Sequence, residues 1–130
     1  MNTKIMLVGS EKTRSLKRHP RIRFAGFWLN DIGFKPDNLV TIEYESKSIM
    51  LEVQGSGLDT YKNFVRYARA NKAGLLQIRE ECHNKRRTPH FEIKGFWLEM
   101  LGFTIGSHIV VKFEYGSINI RLLELDKLGF

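Results

Sequence analysis

Residues 26–34 read GFWLNDIGF and residues 95–103 read GFWLEMLGF, so the chain repeats nearly the same nine letters at an offset of 69. The offset holds well beyond the motif. Of the 32 positions from Pro20 to Leu51, ten are identical to the residue 69 further on, where unrelated segments would share roughly two. Pro20, Gly26, Phe27, Trp28, Leu29, Gly33 and Phe34 fall on Pro89, Gly95, Phe96, Trp97, Leu98, Gly102 and Phe103. Where the letters differ the pattern persists, with Val40, Ile42 and Tyr44 answered by Ile109, Val111 and Phe113. A unit of roughly 50 to 60 residues buries too little surface to stand comfortably alone, so the two copies are expected to share one core. The chain divides into a first copy over residues 1–54, a connecting helix over 55–73 and a second copy over 74–130.

Each copy reads as strand, polar loop, strand, helical turn and hairpin. Lys4 to Val8 and Leu75 to Arg79 open the copies as strands, and a basic loop follows each, ending at Pro20 or Pro89. Ile22 to Phe24 and Phe91 to Ile93 alternate apolar with charged residues, as half-buried strands do. Trp28, Leu29 and Ile32, like Trp97, Leu98 and Leu101, recur at i, i+1 and i+4, which specifies a short helix. Gly33 and Gly102 then sit where a left-handed helix end favours glycine. Val40, Ile42 and Tyr44 alternate with Thr41, Glu43 and Glu45, placing the first set inward and the second in solvent. Between the copies, Asp59 is a helix N-cap, Tyr61, Phe64, Val65 and Ala68 form an apolar stripe, and Gly74 ends the helix.

Charge restricts function. The chain holds 21 Lys and Arg against 14 Asp and Glu, a net charge of +7. Lys12, Arg14, Lys17, Arg18, Arg21 and Arg23 succeed one another without an intervening acid. The matching stretch of the second copy carries Lys85, Arg86 and Arg87, and the connecting helix Lys62, Arg66 and Arg69. Clusters at repeat-equivalent positions are the electrostatic footprint of a polyanion, so nucleic acid is the expected partner. No apolar run is long enough for a membrane span or a signal-peptide core, so a cytoplasmic protein without a membrane partner is expected. Cys82 is the one cysteine, which excludes an internal disulfide and a cysteine-cluster metal site. No motif for a cofactor or metal occurs.

Hydrolysis of RNA without metal needs an acid, a base and a cation beside the phosphate. His19, His83 and His90 are the candidates, since they lie in or beside the basic loops and a twofold between the copies is expected to bring those loops together. The plainer and preferred reading has them touching only solvent or phosphate. His108, at a strand entrance, is read as structural. Trp28 and Trp97 offer rings for base stacking, but beside Leu29 and Leu98 they read as core, as do Tyr44 and Phe113.

These motifs resemble the SymE toxin family. The resemblance is carried by LVGS, KTRSLKRHP, RIRF, AGFWLNDIGF and KPDNLVTIEYESKSIMLEV, covers residues 4–53, and recurs over 74–125. It implies a mainly β fold of the AbrB type, a swapped-hairpin barrel normally completed by two chains. Two copies in one chain would then complete it as a single-chain pseudo-dimer, a monomer with a connecting helix and short helical turns. The resemblance also implies nucleic-acid binding in a toxin-antitoxin context, with RNA cleavage or DNA binding as the associated activities. The alternatives are a metal-independent endoribonuclease toxin and a mobile-element or phage protein that regulates or inhibits another nucleic-acid machine, any protein partner being unknown.

Overall fold

The computed structural model describes residues 2–12, 17–57, 60–63, 66, 74–83 and 86–124. Arg14, Lys85, Arg69, Asp59, Phe64, Val65 and Ala68 lie outside the described residues, as does the side chain of His83. The fold is mainly β. The first half supplies β1 (Asn2–Leu7), β2 (Gly9–Lys12), β3 (Arg18–Ala25), α1 (Trp28–Asp31), β4 (Leu39–Glu45) and β5 (Ser48–Gly55). The second half supplies β6 (Gly74–Gln77), β7 (Arg79–His83), β8 (Arg86–Lys94), α2 (Trp97–Met100), β9 (His108–Glu114) and β10 (Ser117–Leu122) in the same order. Residues 60–63 and 66 between them are helical, with Tyr61 exposed rather than buried in the expected stripe.

Among the described residues, ten strands form two sheets, β1-β9-β10-β5-β4-β6 and β2-β3-β8-β7. Both are open among the described residues, so the closed barrel implied by the family resemblance is not formed. Each ladder ends on strands, β1 and β6 or β2 and β7, that pair on one side only. The halves nevertheless exchange strands: β1 pairs with β9 of the second half, and β6 with β4 of the first.

Register shows how the halves are related. The β3–β8 ladder sets Arg23 opposite Glu92, and the β5–β10 ladder sets Met50 opposite Asn119. Both pairs are separated by the 69-residue offset of the repeat. Two antiparallel ladders, each centred on repeat-equivalent residues, define a local twofold axis. Hydrogen bonds obey it too: Gly26 N–H donates to Pro89 O at 3.2 Å, and Gly95 N–H to Pro20 O at 3.1 Å. The prolines thus present carbonyls where the opposite strand leaves the sheet, a place where a missing N–H costs no ladder bond.

The helical turns form as the glycines predict. Phe34 N–H reaches Leu29 O at 2.8 Å and Gly33 N–H reaches Asn30 O at 3.1 Å, the paired bonds of a Schellman end. Phe103 with Leu98 and Gly102 with Glu99 repeat it, and Gly33 and Gly102 hold φ of 86° and 99°. Leu29, Phe34, Leu98 and Phe103 are fully buried in one apolar cluster that also takes Ile22, Phe24, Phe91 and Ile93 from one sheet and Val40, Ile49, Val111 and Ile118 from the other.

Three elements differ from expectation. The basic loops are mostly strand: β2 and the start of β3 form a hairpin, as do β7 and β8. Its arms carry polar residues on both faces, so no apolar alternation marks them as strands. Thr41, expected in solvent, is buried beneath Gln54, whose Nε2 donates to Thr41 Oγ1 at 3.0 Å. Tyr44, expected in the core, is 49% exposed, whereas its equivalent Phe113 is 8% exposed. Phe113 lies under a neighbouring strand, with Asn2 of β1 as its ladder partner.

Candidate nucleic-acid interface

The two sheets differ in charge. The strands of the four-stranded sheet carry Lys12, Arg18, Arg21, Arg23, Arg79, Arg86, Arg87 and Lys94 against Glu11, Glu80, Glu81 and Glu92, twice as many bases as acids. The strands of the six-stranded sheet carry Lys4, Lys112 and Arg121 against Glu43, Glu45, Glu52 and Glu114. Only the first is basic.

Alternation on β3 and β8 buries Pro20, Ile22, Phe24, Pro89, Phe91 and Ile93, and leaves His19, Arg21, Arg23, His90, Glu92 and Lys94 on the outer face. There the acids of other strands meet the cations. Arg21 lies 3.7 Å from Glu92, Arg23 pairs with Glu81, and Lys94 lies 3.1 Å from Glu11. His19 Nε2 lies 3.2 Å from Glu11 Oε2, the same oxygen that Lys94 approaches. Hydrogen bonds from Lys94 and His19 hold the Glu11 carboxyl below its usual range. A run without acids in sequence is therefore partly neutralised in space.

The hairpin ends are different. Lys12 and Arg18 face each other across the β2–β3 ladder, both exposed, and Arg18 donates to Ser10 Oγ at 3.0 Å. Lys17 adjoins them and is exposed. Arg86 and Arg87 end the β7–β8 hairpin, with Arg87 3.4 Å from Glu80. Lys62 and Arg66 of the connecting segment are exposed.

The twofold sends the two hairpin ends apart. Arg18 and Arg87 each lie five residues from the central Arg23–Glu92 pair, on opposite sides, which separates them by roughly 33 Å of strand. His19 and His90 are divided in the same way, since His90 sits opposite Ala25, roughly 20 Å along β3 from His19. The twofold therefore does not bring His19 and His90 into one site.

His90 instead stands with Glu92. Both line a cleft of about 410 Å³ with Gln77, Arg79, Phe91 and Lys94. His90 Nδ1 and Glu92 Oε2 are buried there without a hydrogen-bond partner. The twofold equivalents of His90, Glu92 and Lys94 are Arg21, Arg23 and Ala25, so the opposite side presents a different set of groups. Glu92 escaped notice in the sequence because it stands alone between apolar residues. The nearby Lys85–Arg87 run was the more conspicuous signal.

Trp28 and Trp97 pack against the core and donate Nε1–H to Ala25 O and Lys94 O at 3.0 and 2.9 Å. Their neighbours Phe27 and Phe96 are exposed, 50% and 46% accessible. Sequence reading passed over both, although identity in the two copies without a place in the apolar helical pattern was available as a signal.

Residues 65–122 match the family model of toxin SymE of type I toxin-antitoxin systems. That segment is SymE-like. It spans β6 to β10 and includes the basic hairpin end, the His90–Glu92 cleft and Phe96. No curated protein and no solved structure matches the chain. Among the described residues, no helix is long and apolar enough to cross a membrane.

Proposed function

We propose that this SymE-like protein binds nucleic acid across its four-stranded sheet, in the setting of a toxin-antitoxin toxin. The supporting observation is the contrast between the sheets: basic groups exceed acids twofold on one and are outnumbered on the other. Phosphates are drawn to the exposed hairpin ends, while the ion-paired centre fixes the face that lies between them. The halves act as a fused counterpart of a two-chain, AbrB-like swapped-hairpin arrangement, in which strand exchange occurs within one monomer and the two copies share one core.

Salt dependence tests the proposal. Each phosphate neutralised adds about 0.9 to the log-log salt slope on duplex DNA and about 0.7 on single strands. Replacing Lys12 and Arg18 together by Ala is expected to reduce the slope by about 1.8 on duplex or about 1.4 on a single strand. Replacing Arg21 and Arg23, already opposite Glu92 and Glu81, is expected to reduce it less. Absence of binding by the unaltered protein to both RNA and DNA at low salt overturns the reading.

A second reading, an endoribonuclease, is favoured by the cleft. It places a buried imidazole nitrogen without a hydrogen-bond partner near a carboxylate, Glu92, that Arg21 approaches to 3.7 Å, with Arg79 and Lys94 also lining the cleft. In such a reaction Glu92 takes the ribose 2′-OH proton as the O2′–P bond forms. The P–O5′ bond breaks and His90 gives a proton to the departing O5′, leaving a cyclic phosphate. Arg79 and Lys94 offset the added negative charge. Labelled RNA, incubated in chelator, is expected to yield 2′,3′-cyclic ends that His90→Ala and Glu92→Gln each abolish; uncut RNA eliminates this reading and leaves binding intact.

A further inference from the structure

We infer that Phe27 and Phe96 are a pair of stacking platforms for the bases of a single-stranded nucleic acid lying along the four-stranded sheet. The inference rests on the nucleic-acid reading above and specifies its ligand. It begins from the identities between the copies. Of the large apolar residues shared at the 69-residue offset, Leu29, Leu98, Phe34, Phe103, Ile49 and Ile118 are fully buried. Trp28 and Trp97 pack against the same core. Core packing thus accounts for every shared large apolar side chain except Phe27 and Phe96, about half of whose surface stays in water.

Their backbone positions are well held. Each Phe follows a glycine of positive φ, Gly26 or Gly95, whose N–H bonds across to Pro89 or Pro20. Each then caps a four-residue helix, α1 or α2. The ring of Phe96 meets the edge of His19 at 5.6 Å, and His19 belongs to the outer, charged face through Glu11. Phe96 therefore stands beside that face next to Lys94 and level with His19. The twofold puts Phe27 toward the other end, eight residues along β3 from His19, or roughly 26 Å of strand.

Two flat, exposed rings flanking a basic sheet match what an unpaired strand offers. Every base has a π-face, so stacking is tolerant of sequence, and phosphates between the rings meet cations. A duplex keeps its base faces inside the stack and cannot use the rings. A protein partner fits less well, because interface cores are depleted in charge and the space between these rings holds Arg21, Arg23, Glu92 and Lys94.

The experiment compares an unpaired oligothymidine, an abasic strand of equal phosphate number, and a duplex, each bound to the full chain. Wild type is expected to prefer the thymidine strand to the abasic one. Phe27→Leu and Phe96→Leu keep an apolar side chain but remove the ring, and each is expected to weaken oligothymidine binding on the order of tenfold while leaving abasic and duplex affinities within about twofold. Unchanged oligothymidine affinity in the double variant, with its folded state verified by thermal melting, overturns the stacking role while the electrostatic reading stands. Equal loss on all three ligands overturns it as well, since a ring that matters only to phosphates is not stacking. A wild-type chain that binds none of the three, and no single-stranded or duplex RNA, removes both readings together.

Discussion

At the seam between the copies, twofold-equivalent positions hold a Phe pair on one side of the axis and an Ile pair on the other. Phe24 lies opposite Phe91 with ring centroids 4.9 Å apart, and Ile22 lies opposite Ile93. Further out, Trp28 meets Phe113 at 4.9 Å under the Lys4 ammonium, whereas Trp97 meets Tyr44 at 5.2 Å without a comparable cover among the described residues. The halves agree in backbone and differ in how completely each site is filled and closed. Backbone geometry is thus set by the shared glycines, prolines and buried leucines, and the residues that differ are free to divide labour between the two sides. The cleft of His90 and Glu92 stands where the other half has Arg21 and Arg23.

The seam offers the largest test. Phe24→Ala or Phe91→Ala removes half of a buried ring stack at the junction of the copies and is expected to cost about 3 to 5 kcal/mol in urea unfolding. Ile22→Val, across the axis, is expected to cost about 1 kcal/mol. Equal small losses from both would mean that the seam is not the common core of the two halves.

The tryptophans give a smaller and sharper contrast. Trp28→Ala is expected to cost about 3 kcal/mol, because Lys4 and Phe113 cover the indole and the cavity left is enclosed. Trp97→Ala is expected to cost about half as much, since the facing Tyr44 is itself half in water. Lys4→Met is expected to cost under about 1 kcal/mol if the ammonium contributes as a partly exposed cation over a ring. Losses of the same size at the two tryptophans would dismiss strand cover by β1 as the source of the asymmetry.

Much of this was readable from the letters because the determining interactions are local. Gly33 and Gly102 specify helix ends within a few residues, and alternation in Val40–Ile42 and Ile109–Val111 specifies strands. What escaped depends on strands far apart in sequence. Arg21 and Arg23 look unopposed along the chain, and only the sheet brings up Glu92 and Glu81. The separation of His19 from His90 follows from the register of one ladder, which no local pattern encodes. Tyr44 reads as core by alternation, yet it is half in water, whereas its equivalent Phe113 is covered by a strand from the far end of the sequence. Open sheets in place of a closed barrel are likewise a matter of long-range pairing.

The smallest expected effect concerns Glu11, which joins the outer face of the sheet across the halves. Its carboxylate meets Lys94 from the second half and His19 from the first, and these bonds hold its pKa below the ordinary value of 4.5. The folded chain therefore binds a proton at Glu11 less readily than the unfolded chain does. The resulting stabilisation is present above the unfolded-state pKa and is lost as pH falls through the lowered folded-state value. At neutral pH, Glu11→Gln is expected to lower the urea midpoint slightly, as befits exposed partners screened by water. The difference from wild type is expected to shrink as the pH drops below about 4 and the carboxyl becomes neutral in both states. Because twofold-equivalent positions around Glu81 hold Thr88 in place of His19 and Ala25 in place of Lys94, Glu81→Gln is expected to lack that histidine-and-lysine contribution. A constant difference between wild type and Glu11→Gln from neutral to strongly acidic pH would show that the carboxylate's charge does not connect the halves.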